Sequence, residues 1–297
     1  MTSIVLRPSA KINLTLHIGP RRADGFHDVR TVMQSIAVSD RLRIVLERGP
    51  FRLTVRPAVV PADRTNLVWR AAALLWRALG RRGEPDGVRV TLDKAIPAEA
   101  GLGGGSADAA AALAGLNALW RGRLTRRDLL DLGAELGSDV PFFLVGGTAL
   151  ALGRGEDVFP LVDARPLGLV LVKPAVDIST VQAYRWLDDD RAAHQGAPPV
   201  ADLQTLDLGW ATGPVALVND LQAPVGRRHP AVLEAIRALE GAGAKVAGMS
   251  GSGSSVFGVF AASAIARAAR RVARPGWQVV ATTTLSRRDA LRRMPLC

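Results

Sequence analysis

The stretch Pro97-Ala-Glu-Ala-Gly101-Leu102-Gly103-Gly104-Gly105-Ser106-Ala107-Asp108 decides how the rest of the chain is read. Ahead of it, Val88 to Leu92 reads as a short strand; behind it, an alanine-rich helix runs from Ser106 to about Trp120. A glycine-rich turn between a strand and a helix brings consecutive backbone N–H groups and the helix N-terminus onto one point, a geometry that holds a phosphate. Glycine there removes the Cβ that would keep an anion away. No Gly-Lys-Ser/Thr follows, so this is not a Walker loop, and the spacing does not suit Gly-x-Gly-x-x-Gly. A flexible turn before a helix is the plainer reading, and four glycines within five residues after a strand favour the phosphate. A second segment, Gly248-Met-Ser-Gly-Ser-Gly-Ser-Ser255, also lies between strand-like runs. Two such loops suggest a polyphosphate held from both sides.

Working outward, Ser3 to Arg7, Lys11 to Ile18, Val29 to Val38 and Leu42 to Leu46 read as strands separated by turns such as Gly19-Pro20 and Gly49-Pro50. Asn66 to Leu79 has helical spacing, and Thr125-Arg-Arg-Asp128 opens another helix with a capping box, ending near Gly137. The style changes around Gly155 to Pro166. A strand (Leu167 to Val172) and a helix opened by Ser179 follow, then a Pro/Gly-rich loop from Gly196 to Pro214. A helix (Pro230 to Leu239), strands at Val246 to Met249 and Val256 to Phe260, a helix (Ala264 to Ala273) and a strand (Gln278 to Thr284) finish the series. The expectation is an α+β chain of two domains, 1–157 and 158–297, with the site in the cleft between them.

Length and composition narrow the function. The 297 residues carry 48% hydrophobic and 22% charged side chains, a globular balance, and the single cysteine, Cys297, excludes an internal disulfide or a cysteine-based zinc site. The four histidines share no metal-ligand spacing, and no metal ligands are assigned. The N-terminus lacks the pattern of a secretory leader, and the uncharged run Val246 to Ala266 holds nine Gly or Ser residues, so it reads as a loop between strands. A cytoplasmic protein without membrane partners is expected. The net charge of +11 invites a nucleic-acid reading, but the 34 arginines are dispersed and aromatics are only 5%, leaving few stacking platforms. A solvated arginine-rich surface is the plainer explanation, and a positive field also suits small polyanionic substrates.

Two charged residues invite chemistry. In Pro8-Ser-Ala-Lys11-Ile-Asn13-Leu, Lys11 and Asn13 share one strand face with Ser9; in Gly137-Ser-Asp139-Val-Pro141, a carboxylate precedes an apolar run. Lys11 could lie on a solvated strand face and Asp139 could cap a helix. Together they could instead form the Lys–Asp pair that phosphoryl transfer uses, a carboxylate for the acceptor hydroxyl and a cation to keep it ionised.

In order and spacing, Pro8 to Leu14, Arg22-Ala-Asp-Gly-Phe-His27 through Gln34, Pro97 to Ala110, Gly137 to Pro141 and Gly248 to Ser255 resemble the GHMP small-molecule kinases. The likeness covers nearly the whole chain. The Arg-Ala-Asp-Gly-aromatic-His run is specific to the branch whose acceptor is a cytidine diphosphate-linked methylerythritol of non-mevalonate isoprenoid synthesis. The resemblance implies an ATP-dependent kinase working with Mg²⁺ that phosphorylates the acceptor's 2-hydroxyl. It implies that Lys11 and Asp139 are catalytic. ATP would be held by Pro97, Gly101, Leu102, Gly103, Gly104, Gly105 and Ser106, with Asn66 and Lys94 on the adenine side. Asn13, Phe26, His27, Tyr184, Gly251, Ser252 and Gly253 would bind the acceptor, Phe26 and Tyr184 sandwiching the cytosine ring. The sequence departs from the family at Phe26, where tyrosine is usual, at Ala98-Glu99-Ala100, and at Ala107-Asp108, where Ser-Asn is usual. The alternatives are a GHMP kinase acting on homoserine, mevalonate or a sugar, and an arginine-rich nucleic-acid-binding protein.

Overall fold

The computed structural model describes residues 2–163, 165–193 and 217–294. Three sheets and the helices packed on them carry the cleft. In the first, strands β1 (Ser3–Leu6), β4 (Arg41–Pro50), β6 (Asp86–Asp93) and β5 (Arg52–Arg56) lie in that order. Strand β4 alternates Arg41, Leu42, Arg43 and Ile44, which buries the two aliphatics on one face and leaves the arginines in solvent. The parallel neighbour β5, the five-residue run Arg-Leu-Thr-Val-Arg, was not among the strands read from the sequence.

Onto that buried face pack α1 (Leu67–Ala78) and α2 (Gly104–Leu119). Helix α1 buries Val68, Ala71, Ala72, Leu75 and Trp76, a single stripe at helical spacing. Helix α2 is buried nearly all round, which is why its residues are so small: a Cβ on Gly115 would lie 2.7 Å from both Ile44 and Leu6. It begins at Gly104, two residues before the sequence expectation, because Gly103 takes the left-handed conformation at its N-cap. The capping box at Thr125 opens α3 (Arg126–Leu136), with Asp128 bonded back to the Thr125 N–H. A short helix α4 (Val140–Val145) follows directly.

The middle sheet runs β10 (Val218–Asn219), β2 (Ser9–Arg21), β3 (His27–Ser39), β7 (Thr148–Leu152) and β8 (Asp157–Pro160). The third runs β11 (Val246–Met249), β12 (Val256–Phe260), β9 (Gly168–Lys173) and β13 (Gln278–Thr283). Helices α5 (Thr180–Ala193), α6 (Gln222–Arg228), α7 (Pro230–Gly241) and α8 (Ile265–Val272) accompany these sheets, and α9 (Arg287–Arg292) follows the last strand. Strand β10 pairs parallel with β2, so a piece of the second half completes the middle sheet. A core cluster containing Ile12, Ile36, Leu102, Leu171 and Phe257 joins the two halves. Sequence reading passed over β7, β8, β10, α6 and α9, which are short or broken by glycine and proline. The expected loop from Gly196 to Pro214 lies outside the described residues. No helix among the described residues is long and apolar enough to cross a membrane.

Candidate active site

A cleft of about 860 Å³ opens where the first glycine loop, the long strand β2, helix α4 and helix α5 converge. At its centre stands Lys11. Its side chain is 5% exposed, so the solvated strand face is excluded. Its ammonium donates to Asn13 Oδ1 at 2.6 Å and pairs with Asp139 Oδ2 at 3.4 Å. Asp139 sits at the N-cap of α4 yet makes no capping bond, which leaves its carboxylate, 37% exposed, turned to the lysine and the cleft. Asn13 is fixed in turn, donating to Thr31 Oγ1 at 2.7 Å, while Thr31 donates to the Thr15 carbonyl at 2.6 Å. A buried cation beside a carboxylate that keeps one side to the cleft is a unit suited to accepting or orienting a hydroxyl proton.

The glycine loop lies against Lys11. The Lys11 N–H donates to the Leu102 carbonyl at 3.0 Å, and a Cβ on Gly103 would strike Phe143 at 2.7 Å. Pro97, Gly101, Gly103, Gly104, Gly105 and Ser106 all line the cleft, so the N-terminus of α2 points into it. Leu102 does not; its side chain is buried in the core. Glu99 also lines the cleft, in a left-handed backbone conformation with φ of 49°.

Beneath the loop is a group that the sequence did not reveal. The Lys94 ammonium donates to Asp40 Oδ2 at 2.5 Å and to Asp108 Oδ2 at 2.7 Å, with all three side chains at most 5% exposed. Asp40 also accepts the N–H groups of Ala95 and Ile96. Burial pushes the Asp108 carboxyl well above the usual carboxylate range against the pull of Lys94, and its Oδ1 has no partner. Burial works to lower the Lys94 ammonium, but the two carboxylates outweigh it and hold the group above the ordinary lysine value. The signal was hard to find because Asp40 and Lys94 are 54 residues apart. Asn66 lines the same end of the cleft, with its side chain engaged as the cap of α1: Oδ1 accepts from the Val68 N–H and Nδ2 donates to the Pro61 carbonyl. A Cβ on Gly104 would point to Ile96 and Lys94 and not to the place of an anion.

The second Gly/Ser loop does different work from the first. Gly251 and Ser252 reach the cleft, but Ser250, Ser254 and Ser255 are buried and Gly253 turns toward Met249. Ser250 accepts the Asn13 N–H at 3.3 Å and donates to the Gly101 carbonyl at 2.9 Å, so this loop braces the first one from behind.

At the far end, Tyr184 on α5 lines the cleft; burial, with Asp139 and Asp220 nearby, pushes its hydroxyl above the usual tyrosine range. His27 and Phe26 are not part of the lining. His27 is buried behind, its ring 5.2 Å from Tyr184 and its Nε2 2.8 Å from Asp188. Phe26 is half exposed and packs under the guanidinium of Arg154, 5.1 Å from the ring centre. The two rings expected to sandwich a base thus rest on different partners.

Comparisons with known proteins bear on this arrangement. The model of the GHMP kinases N terminal domain matches residues 66–147, and that of the GHMP kinases C terminal matches residues 205–276. Fold and cleft together place the chain among the GHMP small-molecule kinases. The 4-diphosphocytidyl-2-C-methyl-D-erythritol kinase of Pelotomaculum thermopropionicum is 45% identical over 94% of this chain and 97% of its own. That of Anaeromyxobacter dehalogenans is 46% identical over 91% and 84%. A crystal structure of a 4-(cytidine 5'-diphospho)-2C-methyl-D-erythritol kinase superposes with a TM-score of 0.78 at 34% identity, covering 95% of this chain and 99% of that one. The chain belongs to the 4-diphosphocytidyl-2-C-methyl-D-erythritol kinase family. The homoserine kinase of Cytophaga hutchinsonii, 21% identical with a TM-score of 0.62 over 96% of this chain and 95% of its own, shares the fold.

Proposed function

We propose that the protein transfers the γ-phosphate of ATP to the 2-hydroxyl of 4-diphosphocytidyl-2-C-methyl-D-erythritol in the cytoplasm, a step of non-mevalonate isoprenoid synthesis. The observation that carries the chemistry is the Lys11–Asp139 pair, standing in one cleft between the N-terminus of α2 and the wall that holds Tyr184. The cleft volume of about 860 Å³ is within the usual range of small-molecule sites.

In this reading the loop from Gly101 to Ser106 receives the triphosphate on backbone N–H groups and the positive end of α2. Asn66 and Lys94 stand at the adenine end. Asp139 takes or orients the hydroxyl proton as that oxygen attacks the γ-phosphorus and ADP departs. Lys11 keeps the carboxylate ionised and turned to the hydroxyl, and Asn13 fixes the lysine. Tyr184 offers a ring face to cytosine, with His27 behind it, and Gly251 and Ser252 form the floor. Among the described residues no three His, Cys, Asp or Glu side chains converge on a metal site. Asp139 and Ser106 are the cleft oxygens that would hold a Mg²⁺ carried by ATP, and the ion would supply charge neutralisation to the phosphates. The division of labour between 1–157 and 158–297 is supported by the two family models falling on either side of residue 157.

Turnover with ATP compared across the cytidyl-methylerythritol acceptor, homoserine, mevalonate and galactose tests the reading, which requires the first to be preferred. Asp139→Asn should lower kcat by roughly 100-fold with little change in KM. Near-normal turnover would remove Asp139 from the chemistry.

A further inference from the structure

A sharp turn joins β7 to β8 and carries Arg154 between Gly153 and Gly155, both in the left-handed region at φ of 69° and 110°. The turn is tied to β3, where the Val29 N–H donates to the Gly153 carbonyl at 2.7 Å. It also lies beside the catalytic segment: a Cβ on Gly155 would sit 3.5 Å from Cβ of Ser138, the residue before Asp139. Arg154 lines the cleft and is held on two sides. Its Nε donates to Glu156 Oε1 at 2.8 Å, and its guanidinium plane covers Phe26. Partial burial would raise the Glu156 carboxyl, but the hydrogen bonds it accepts from the Arg154 side chain and from the turn's backbone bring it below its ordinary value, so the brace is an ion pair. Asp24, itself paired with Arg22, adds to the negative field around the guanidinium.

The three lysines and arginines that line the cleft are differently committed. Lys94 is bound to two carboxylates, and Lys11 to Asn13 and Asp139. Arg154 spends only Nε; among the described residues neither Nη makes a hydrogen bond. A guanidinium locked at Nε and on one face, with both Nη groups free in a cleft, presents the fork that matches two phosphate oxygens.

We infer that Arg154 binds the diphosphate of the acceptor, with Phe26 and Glu156 holding its fork in place; the inference rests on the functional reading above. A diphosphate linker that leaves water for this cleft needs donors not already spent on other acceptors, and the two Nη groups of Arg154 provide them. Phe26 then serves twice, as a ring near the base and as the platform for the cation that holds the linker.

The test is steady-state kinetics of the full-length protein with the cytidyl-methylerythritol acceptor, and inhibition by cytidine, which has the base but no phosphate. Arg154→Ala should raise acceptor KM about tenfold or more, leaving kcat and ATP KM within about twofold. Cytidine inhibition should be unchanged, and Arg154→Lys should recover part of the lost affinity by returning the charge without the fork. Unchanged acceptor KM in Arg154→Ala overturns the inference. So does a loss of cytidine affinity by the same factor, which would make Arg154 a support for Phe26 alone. Failure of the unmutated protein to phosphorylate the cytidyl acceptor would overturn the functional reading itself, whereas normal turnover with an indifferent Arg154→Ala would overturn only the assignment of Arg154.

Discussion

The loops at 97–106 and 248–255 draw on the same small residues, and the fold uses them in different ways. The first lays every residue but Leu102 along the cleft at the head of α2. The second sends only Gly251 and Ser252 there and buries Ser250, Ser254 and Ser255 against its neighbours. What separates them is the element that follows. A helix opens its unbonded N–H groups toward the space ahead of it, whereas β12 after the second loop continues a ladder with β9 and β11 and leaves no such donors. Composition therefore marks both as loops of close approach, and the next element decides whether the approaching group is an anion or another backbone.

The contact between the loops is where the comparison can be broken. Gly101 has φ of +70°, and a Cβ there would lie 2.1 Å from the Ser250 carbonyl oxygen. Gly101→Ala should therefore cost about 3 kcal/mol or more of stability and weaken ATP binding, read by urea unfolding and calorimetry. Ser250→Ala removes the donor to the Gly101 carbonyl and the acceptor for Asn13, at about 1–3 kcal/mol, with ATP KM raised less than by Gly101→Ala. Gly105→Ala is the mildest. Its Cβ meets only Leu67 at 3.5 Å and its φ is ordinary, so stability should change by about 1 kcal/mol or less, in the stabilising direction. If Gly105→Ala abolished ATP binding while Ser250→Ala left it untouched, the second loop would not be bracing the first.

Much of this was legible because local rules carry it. The capping box at Thr125 and the stripe of α1 depend on near neighbours and were read with small errors at their ends, while β4 was read as a strand but ended four residues short. Lys11 and Asp139 were legible as a pair only as one of two readings; the burial of Lys11 and the uncapped Asp139 show that the two side chains meet. The Lys94–Asp40–Asp108 group was not legible, since β4 and β6 must pair before Asp40 and Lys94 meet. Arg154 was hidden for another reason. One arginine in a glycine turn stands out only when its fork is seen to be unspent, and this chain has 34 arginines.

Strand β10 contributes two residues, Val218 and Asn219, along Thr15 and Leu16 of β2. Asn219 also donates to the carbonyls of Met249 and Gly251, so the same short piece stitches the middle sheet to the second loop. A fragment ending at residue 157 would lose this cover and present a bare edge of β2 at Thr15 and Leu16 to solvent. Such an edge is a template for pairing with further copies, so the amino-terminal half expressed alone should self-associate, and co-expression with the other half should suppress it. For anyone dividing the molecule for labelling or crystallisation, the two halves are one unit of manufacture.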